Sequence, residues 1–339
     1  QVEDIYLRLK FSKNIADIKQ LSFRIKDSDV SLSGALKNWT TKPVIAVKIE
    51  SSQMDLDLLI PKGHRSPIRE FLETLASTSQ VSATATIEKG LYKHLRFGGL
   101  SGRLTIQDGM LDLDRVVAQS GTGHAAGRMV VRLPKGEPAE TETSVRMTGI
   151  PAEAVLGLLG AHDQPVTGDM KLTGVLRGHG RNPHGLLPTL NGKVELVLQD
   201  GHILKTEKRA IWKILSILNL PAVLQGKVDL EKEGLQYNRA SATLTVQNGL
   251  VKTQNIILDS AVLKISAVGT YDMPTDQLDM MWAVSPFGSY SQFLKSIPLF
   301  GRLVAGDRKG LATALFQVKG SIDDPQVTYM PMKSFTTGL

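Results

Sequence analysis

The chain has no cysteine, few aromatic residues and no long apolar run. Zero cysteines among 339 residues exclude disulfide bridges and thiolate metal sites, and a chain without thiols suits an oxidising compartment such as a bacterial periplasm. Aromatic residues make up only 5%, which argues against the stacking surfaces of nucleic-acid-binding proteins. No run of about 18 or more apolar residues occurs, so we expect any membrane anchor to lie outside these residues.

The residues that are present predict a folded chain with dispersed positive charge. Apolar residues make up 42% and charged residues 22%, which is typical of globular proteins. The formal net charge is +7, but lysine and arginine alternate with acidic residues and form no dense run. We therefore interpret them as a solvated surface, with attraction to anionic lipid headgroups as the alternative. The length allows two or three domains or one extended repeat array.

Three similar segments, each centred on Asp-Gly or Asn-Gly, dominate the sequence pattern: Thr105–Leu111, Val197–Ile203 and Thr245–Val251. Apolar and polar residues alternate around each central pair. Asp-Gly and Asn-Gly favour two-residue turns in which both residues have positive φ, so each segment predicts a β-hairpin. One face of every hairpin is apolar and the other is polar, which makes a half-apolar hairpin the building unit of the fold.

The turns also predict which residues lie opposite each other, because a hairpin turn sets the register of its strands. The predicted apolar pairs are Leu104 with Leu113, Ile106 with Leu111, Leu198 with Ile203, and Val246 with Val251. The predicted polar pairs on the other face are Thr105 with Asp112 and Thr245 with Lys252. Similar alternation predicts antiparallel strands in residues 5–60, from about residue 81 onward, and in two final strands near residues 315–320 and 325–328.

Short helices are predicted between the strands. A first-turn proline followed by helical spacing predicts a helix near residues 66–77, and residues 149–156 predict one or two further turns. A clearer amphipathic helix is predicted over residues 207–220, and we interpret it as a lid on the sheet, with contact to a membrane as the alternative. Residues 280–306 are apolar but broken by proline and glycine, which predicts short helices or a loop.

No catalytic or metal-binding pattern stands out. Four residues close in sequence, His162, Asp163, His179 and His184, lie in glycine- and proline-rich stretches without metal-ligand spacing, and we interpret them as solvated. A glycine-rich stretch, residues 121–127, is followed by a strand-like segment where a dinucleotide loop needs a helix, so it predicts a β-turn. The acidic residues Asp112, Asp114, Asp323 and Asp324 define no pocket. The sequence therefore predicts a protein that is not an enzyme and has no cofactor.

Three further stretches together resemble one protein family. They are Val145–Leu156 running on through Val166–Gly174, then Leu190–Ile203, and finally Phe316–Val327 with a strand, a bend and a second strand. Their order is similar to that in the AsmA-like superfamily of bacterial envelope proteins, which includes the AsmA, TamB and YhdP types. The resemblance covers roughly residues 100–330.

The resemblance implies a mainly β fold, in which a long curled antiparallel sheet forms an open half-barrel or groove with a few short amphipathic helices. Residues 1–100 would form a β-repeat segment, and residues 101–339 the AsmA-like C-terminal region. The resemblance also implies transfer of phospholipid between the inner and outer membranes. The chain would be a periplasmic fragment, anchored to the inner membrane by a segment missing here. Its partners would be phospholipid, a membrane surface and other envelope proteins, and no nucleic acid.

Ten aliphatic residues on the predicted apolar faces are the candidate lipid-binding residues: Leu104, Ile106, Leu111, Leu113, Leu196, Leu198, Ile203, Leu244, Val246 and Val251. They suit an ordinary packed core as well, and this alternative stays open. Four aromatic residues, Trp282, Phe287, Phe293 and Phe300, are candidates for contact with a membrane or partner protein. The rival function is an envelope β-repeat scaffold that assists outer-membrane protein assembly without conducting lipid.

Overall fold

The computed structural model describes residues 2–58, 68–93, 95–158, 166–206, 208–218, 234–286 and 314–330. Within them, seventeen strands belong to one sheet, and the helices are few and short. The predicted fold class, a mainly β chain with one long sheet and a few short helices, is confirmed. The chain divides into two compact units: unit 1 is Gln1–His162 and Thr173–Leu186, and unit 2 is Asp163–Leu172 and Leu187–Leu339.

Unit 1 is built from nine consecutive strands, in which apolar and polar residues alternate. They are β1 (Val2–Ser12), β2 (Ile15–Ile25), β3 (Ser28–Lys37), β4 (Val44–Asp55), β5 (Gln80–Tyr92), β6 (Leu95–Gln107), β7 (Met110–Ser120), β8 (Gly123–Arg132) and β9 (Ala139–Pro151). The domain boundary predicted after residue 100 lies inside β6. The turn between β7 and β8 begins at Gly121, which confirms the predicted β-turn there.

Consecutive strands of unit 1 pair in antiparallel orientation with one exception, β4 and β5, which run parallel. The pairing is therefore mainly antiparallel, as predicted, with this one parallel pair. A parallel pair needs a crossover connection, and the helix α1 (Ile68–Thr78) lies in that connection. The helices α1 and α2 (Ala152–Leu158) confirm the two predicted near residues 66–77 and 149–156. A four-residue helix, α3 (Pro183–Leu186), follows later.

Unit 2 follows the same pattern with one longer connection. The strand β10 (Asp169–Gly180) has residues in both units, and the remaining strands of unit 2 are β11 (Asn191–Ile203), β12 (Leu235–Gln247), β13 (Leu250–Asp259), β14 (Leu263–Asp272), β15 (Gln277–Pro286), β16 (Ala314–Gly320) and β17 (Gln326–Met330). Strands β11 to β17 pair in antiparallel orientation, each with the next. The helix α4 (Ala210–Ile217) lies between β11 and β12. It confirms the helix predicted over residues 207–220.

Two details of unit 2 bear on the predictions. Residues 280–286 belong to β15, so the prediction of helices or a loop is wrong for these residues, which continue a strand instead. The rest of that segment, including Phe287, Phe293 and Phe300, lies outside the described residues. The two final strands, β16 and β17, confirm the prediction for residues 315–320 and 325–328.

Two of the three predicted hairpins are confirmed with their registers. Leu104 lies opposite Leu113 and Ile106 opposite Leu111 in the first, and Val246 lies opposite Val251 in the third. The polar pairs Thr105 with Asp112 and Thr245 with Lys252 are confirmed as well. In both turns the two central residues have positive φ, 50° and 74° at Asp108-Gly109 and 48° and 78° at Asn248-Gly249.

The second predicted hairpin is wrong, because Val197–Ile203 continues as one strand. Leu198 pairs with Ala240 and Ile203 with Leu235, both on β12. Asp200 has a φ of 50°, but Gly201 is not among the residues with positive φ. A two-residue turn of this type needs positive φ at both central residues, and β11 keeps one register against β12 on both sides of Asp200. The prediction that Leu198 lies opposite Ile203 is therefore corrected.

The two true hairpins are equivalent parts of a repeated module. Residues of β12–β14 lie 140 positions after those of β6–β8, as in Gly109 and Gly249. The hairpin glycine donates its N–H to a carbonyl of a preceding segment in both, Ala76 at 3.0 Å and Leu190 at 3.0 Å. Its own carbonyl accepts from Leu133 at 2.8 Å and from Met273 at 3.1 Å. These equivalent bonds show that β5–β8 and β11–β14 are two copies of one arrangement.

Strand irregularities repeat at the same spacing. The register of β7 against β8 shifts between Leu113 and Val116, and that of β13 against β14 shifts between Thr253 and Ile256. The two copies differ most in the connection between their first two strands. β5 and β6 are joined by two residues, whereas β11 and β12 are joined by residues 204–234, which contain α4. The helix is therefore an insertion into a module that unit 1 builds without it.

Candidate functional site

The apolar face of unit 1 consists of side chains that line up across neighbouring strands. Because cross-strand partners share one face of a sheet, the pairing defines two adjacent rows over β3 to β8. The first row is Leu36, Ile45, Val81, Ile106, Leu111 and Val131, and the second is Gly34, Val47, Ala83, Leu104, Leu113 and Met129. Within these described strands, no position of either row carries a charge.

The opposite face of the same strands is polar and carries ion pairs. Arg128 donates two hydrogen bonds to Asp112, at 2.9 and 2.6 Å. Lys48 lies 2.7 Å from Glu50. The alternation of the strands therefore separates charge from apolar surface completely along these two rows.

The apolar face of unit 1 is covered at its ends but half-exposed between them. At one end, Val81 and Ile106 are buried with Ala76 of α1. The helix α2 lies against β6 and β9. Between the ends, Met129 is 39% exposed. The apolar face continues onto β1, where Leu7 is 54% exposed and Phe11 67% exposed. A core of a closed domain would bury such side chains.

The apolar face of unit 2 is built in the same way but is covered by α4. Ile214 and Leu215 of the helix have 0% and 1% exposure. They belong to a cluster with residues of five strands that include Leu235, Ile265 and Phe316. The indole N–H of Trp212 donates to the carbonyl of Leu204 at 2.8 Å, which fixes the start of the helix on the chain before it. The interpretation of this helix as a lid packed on the sheet fits these contacts.

The ten candidate lipid-binding residues lie on these two apolar faces. Four are neighbours in the two rows of unit 1: Leu104, Ile106, Leu111 and Leu113. Six share the apolar face of unit 2: Leu196, Leu198, Ile203, Leu244, Val246 and Val251. Leu198 and Ile203 pack against the cluster under α4. Ile106 and Val246 are buried and the others are half-buried. Their binding of lipid stays a prediction.

Sequence reasoning missed several members of the faces. Val47, Ala83 and Met129 complete the second row of unit 1, although only its hairpin residues were predicted as candidates. The signal for Val47 and Ala83 is present in the alternation of residues 44–50 and 81–87. Trp282 lies on β15 and packs against the cluster under α4. Its predicted contact with a membrane or partner stays a prediction.

The described residues offer no constellation for chemistry at either face. Among them, no group of three or more histidine or acidic side chains is placed to hold a metal ion, and His162 and Asp163 lie outside them. The acidic residues singled out in the sequence lie in ion pairs on the polar face and at one turn: Asp323 lies 3.2 Å from Arg209, and Asp324 lies 2.5 Å from Lys213. In the part of the chain that is described, no helix is long and apolar enough to cross a membrane.

The pair of Arg128 and Asp112 makes the stability of unit 1 depend on pH. Hydrogen bonding from Arg128 lowers the pKa of Asp112 below its usual value. A carboxylate with a lowered pKa in the folded state stabilises the fold above its unfolded pKa, and this contribution is lost as the pH falls through the folded pKa. We expect Arg128→Gln to lower the urea midpoint at pH 7, and this difference from the unmodified chain to shrink at about pH 3. Arg115→Gln is the control, because Arg115 is exposed and 3.7 Å from Asp114. An equal decrease of the urea midpoint by Arg128→Gln at both pH values would contradict the prediction.

Two comparisons with known proteins find a match. A family model described as YhdP protein matches residues 9–327. The AsmA family protein YhjG of Escherichia coli (strain K12) is 29% identical over 117 residues, which are 34% of this chain and 16% of that protein. The match therefore spans only a small part of the length of that relative. No solved structure matches the chain.

Proposed function

Because the chain belongs to the YhdP family of the AsmA-like superfamily, we propose that its apolar faces carry phospholipid acyl chains between the inner and outer membranes of a bacterial envelope. Membership of this family supports a bridge-like role in envelope lipid transport. The observation that carries the proposal for this chain is the apolar face of unit 1. Its rows are free of charge over β3 to β8, yet its middle stays half-exposed.

The physical chemistry of acyl chains fits such a surface. Burial of hydrocarbon is favourable by about 0.8 kcal/mol per CH₂ group and needs no directional bond. Six neighbouring strands at about 4.8 Å spacing extend over roughly 24 Å, longer than the half of a hydrocarbon core, about 15 Å, that one acyl chain fills. The rows also stay uncharged from one strand to the next. A lipid could therefore move along the face without a large barrier at any one strand, while its headgroup stays in water.

Site-specific photo-crosslinking in cells tests the proposal. Val47 lies on the apolar face of unit 1, and the next residue, Lys48, lies on the polar face of the same strand. We expect a photo-crosslinking residue in place of Val47 to attach phospholipid, and the same residue in place of Lys48 to attach little. Mass spectrometry of the purified adducts identifies the lipid. Equal labelling at both positions, or no phospholipid at Val47, would refute the proposal.

The scaffold function is favoured by one specific observation, that α4 covers part of the apolar face of unit 2. The part that α4 covers needs no lipid to satisfy it. In a scaffold without lipid, the crosslinker at Val47 would attach protein and no phospholipid. The same experiment therefore separates the two functions.

A further inference from the structure

The helix α4 occupies a position that the fold itself does not require. In unit 1 the strands that open the module are joined by a short turn, and Tyr92 pairs with Leu95. In unit 2 the equivalent pair is Ile203 with Leu235, and residues 204–234 are inserted between them. Unit 1 forms the equivalent strands with only a short turn at this place. The inserted residues 204–234 are therefore not needed to form the sheet.

The helix α4 of this insertion covers part of the apolar face of unit 2. Five residues of α4 are buried, among them Ile214 at 0% and Leu215 at 1% exposure. On the sheet they face Leu235, Val284 and other residues of one cluster. The helix thus takes the place that hydrocarbon would take in the proposed function. An acyl chain and the apolar side of α4 would compete for the same surface.

The solvent side of α4 is held by two ion pairs to a single turn, which we call the latch. Arg209 lies 3.2 Å from Asp323 and donates to the carbonyl of Ile322 at 3.3 Å. Lys213 lies 2.5 Å from Asp324 and donates to the carbonyl of Pro325 at 2.8 Å. Exposed ion pairs of this kind are weak. The latch can therefore be released at small cost.

The turn that receives the latch is itself fixed to the sheet. Asp276 accepts hydrogen bonds from Ser321 at 2.5 Å, from the backbone N–H of Ile322 at 3.3 Å and from Tyr271 at 3.1 Å. These bonds join the turn between β16 and β17 to the turn between β14 and β15. One side of the latch is therefore rigid, and the other side is the inserted helix.

We propose that α4 is a displaceable lid, which is held on the apolar face of unit 2 by the latch and leaves it when a phospholipid acyl chain takes its place. The proposal rests on the proposed function. In water the open state exposes apolar surface on both the helix and the sheet, so it is rarely populated. Hydrocarbon on the sheet removes part of this cost and shifts the population towards the open state.

The absence of cysteine makes the lid measurable by thiol labelling, because an introduced cysteine is the only thiol. Ile214→Cys places the thiol under the lid, and Val246→Cys places one at a buried position of unit 2 outside the cluster under α4. We expect slow maleimide labelling of both. Adding Asp323→Asn and Asp324→Asn should accelerate labelling at Ile214→Cys by about two- to tenfold, as expected for two exposed ion pairs, and leave Val246→Cys unchanged.

Asp279→Asn is the matched control, because Asp279 forms an exposed ion pair with Lys319 in the same unit, 3.3 Å apart, that includes no residue of the latch. It should not change the labelling rate. Vesicles of phosphatidylethanolamine and phosphatidylglycerol should accelerate labelling at Ile214→Cys further. Unchanged labelling in the latch variant, or equal acceleration at Val246→Cys, would overturn the lid.

A second variant tests the lid without the latch. Replacing residues 204–234 by the Lys-His pair that joins β5 to β6 should leave a folded chain that retains more phospholipid after purification. If phospholipid attaches at Val47 but the labelling rate of Ile214→Cys does not change, the lid is overturned and the proposed function stays in place. If the labelling rate of Ile214→Cys responds to the latch substitutions but no variant attaches or retains phospholipid, both the acyl-chain occupant and the proposed function are overturned.

Discussion

Replacing Met129 by lysine is expected to lower phospholipid transfer by about tenfold or more while the chain stays folded. Met129 is 39% exposed on the apolar face of unit 1, in the row that contains Leu104 and Leu113. A folded chain tolerates a lysine there because the side chain reaches solvent. An acyl chain that passes this row must instead contact or displace an ammonium group, and a charge within hydrocarbon costs about 2.5–3.5 kcal/mol.

The matched control is Val130→Lys. Val130 is the next residue of β8 and lies on the polar face, opposite Asp112 and Glu142, so a lysine there gains acidic neighbours. Transfer of a fluorescent phospholipid between donor and acceptor vesicles measures both variants, with circular dichroism as the check on folding. Equal transfer by the two variants would mean that lipid does not use this face.

Gly201→Ala is expected to lower the free energy of unfolding of unit 2 by about 3 kcal/mol. A Cβ atom at this position would lie less than 3.0 Å from the carbonyl oxygen of Thr167 and from the ring of Tyr237. These groups are fixed, because the Tyr237 hydroxyl donates to the Thr167 carbonyl at 2.5 Å and Tyr237 is only 1% exposed. The alanine can fit only if this buried contact opens.

Tryptophan fluorescence isolates unit 2 for this measurement. Two of the three tryptophans, Trp212 and Trp282, lie in unit 2, so urea unfolding in a Trp39→Phe background reports on that unit alone. Gly320→Ala is the control, because a Cβ there meets open space and only its φ of 99° strains the backbone. If Gly201→Ala lowers the free energy of unfolding no more than Gly320→Ala does, the close contact of Gly201 with Thr167 and Tyr237 is contradicted.

The hairpins show what local sequence can predict. Asp108-Gly109 and Asn248-Gly249 form their turns because both residues of each pair can adopt positive φ, and the turn then sets the register of Ile106 with Leu111 and of Val246 with Val251. These are contacts between residues close in sequence. The separation of apolar and polar faces follows from the alternation of side chains along a strand.

The second of the three segments shows where local sequence fails. Asp200-Gly201 has the same two residues in a similar alternating stretch, yet β11 runs through it. The cause lies in distant residues, since Thr167 and Tyr237 close around Gly201 and β12 pairs along the whole strand. The parallel pairing of β4 with β5 is of the same kind, because the crossover that carries α1 decides it.

The sequence by itself determined the alternation, the two true hairpins, most of the short helices and the family. All of these depend on neighbouring residues or on a pattern along the chain. Only the tertiary structure decided that unit 1 leaves its apolar face half-open whereas α4 covers the face of unit 2. The physical reason is that burial depends on which distant segments meet, and an aliphatic residue in a strand has the same local signal whether protein, lipid or water lies against it.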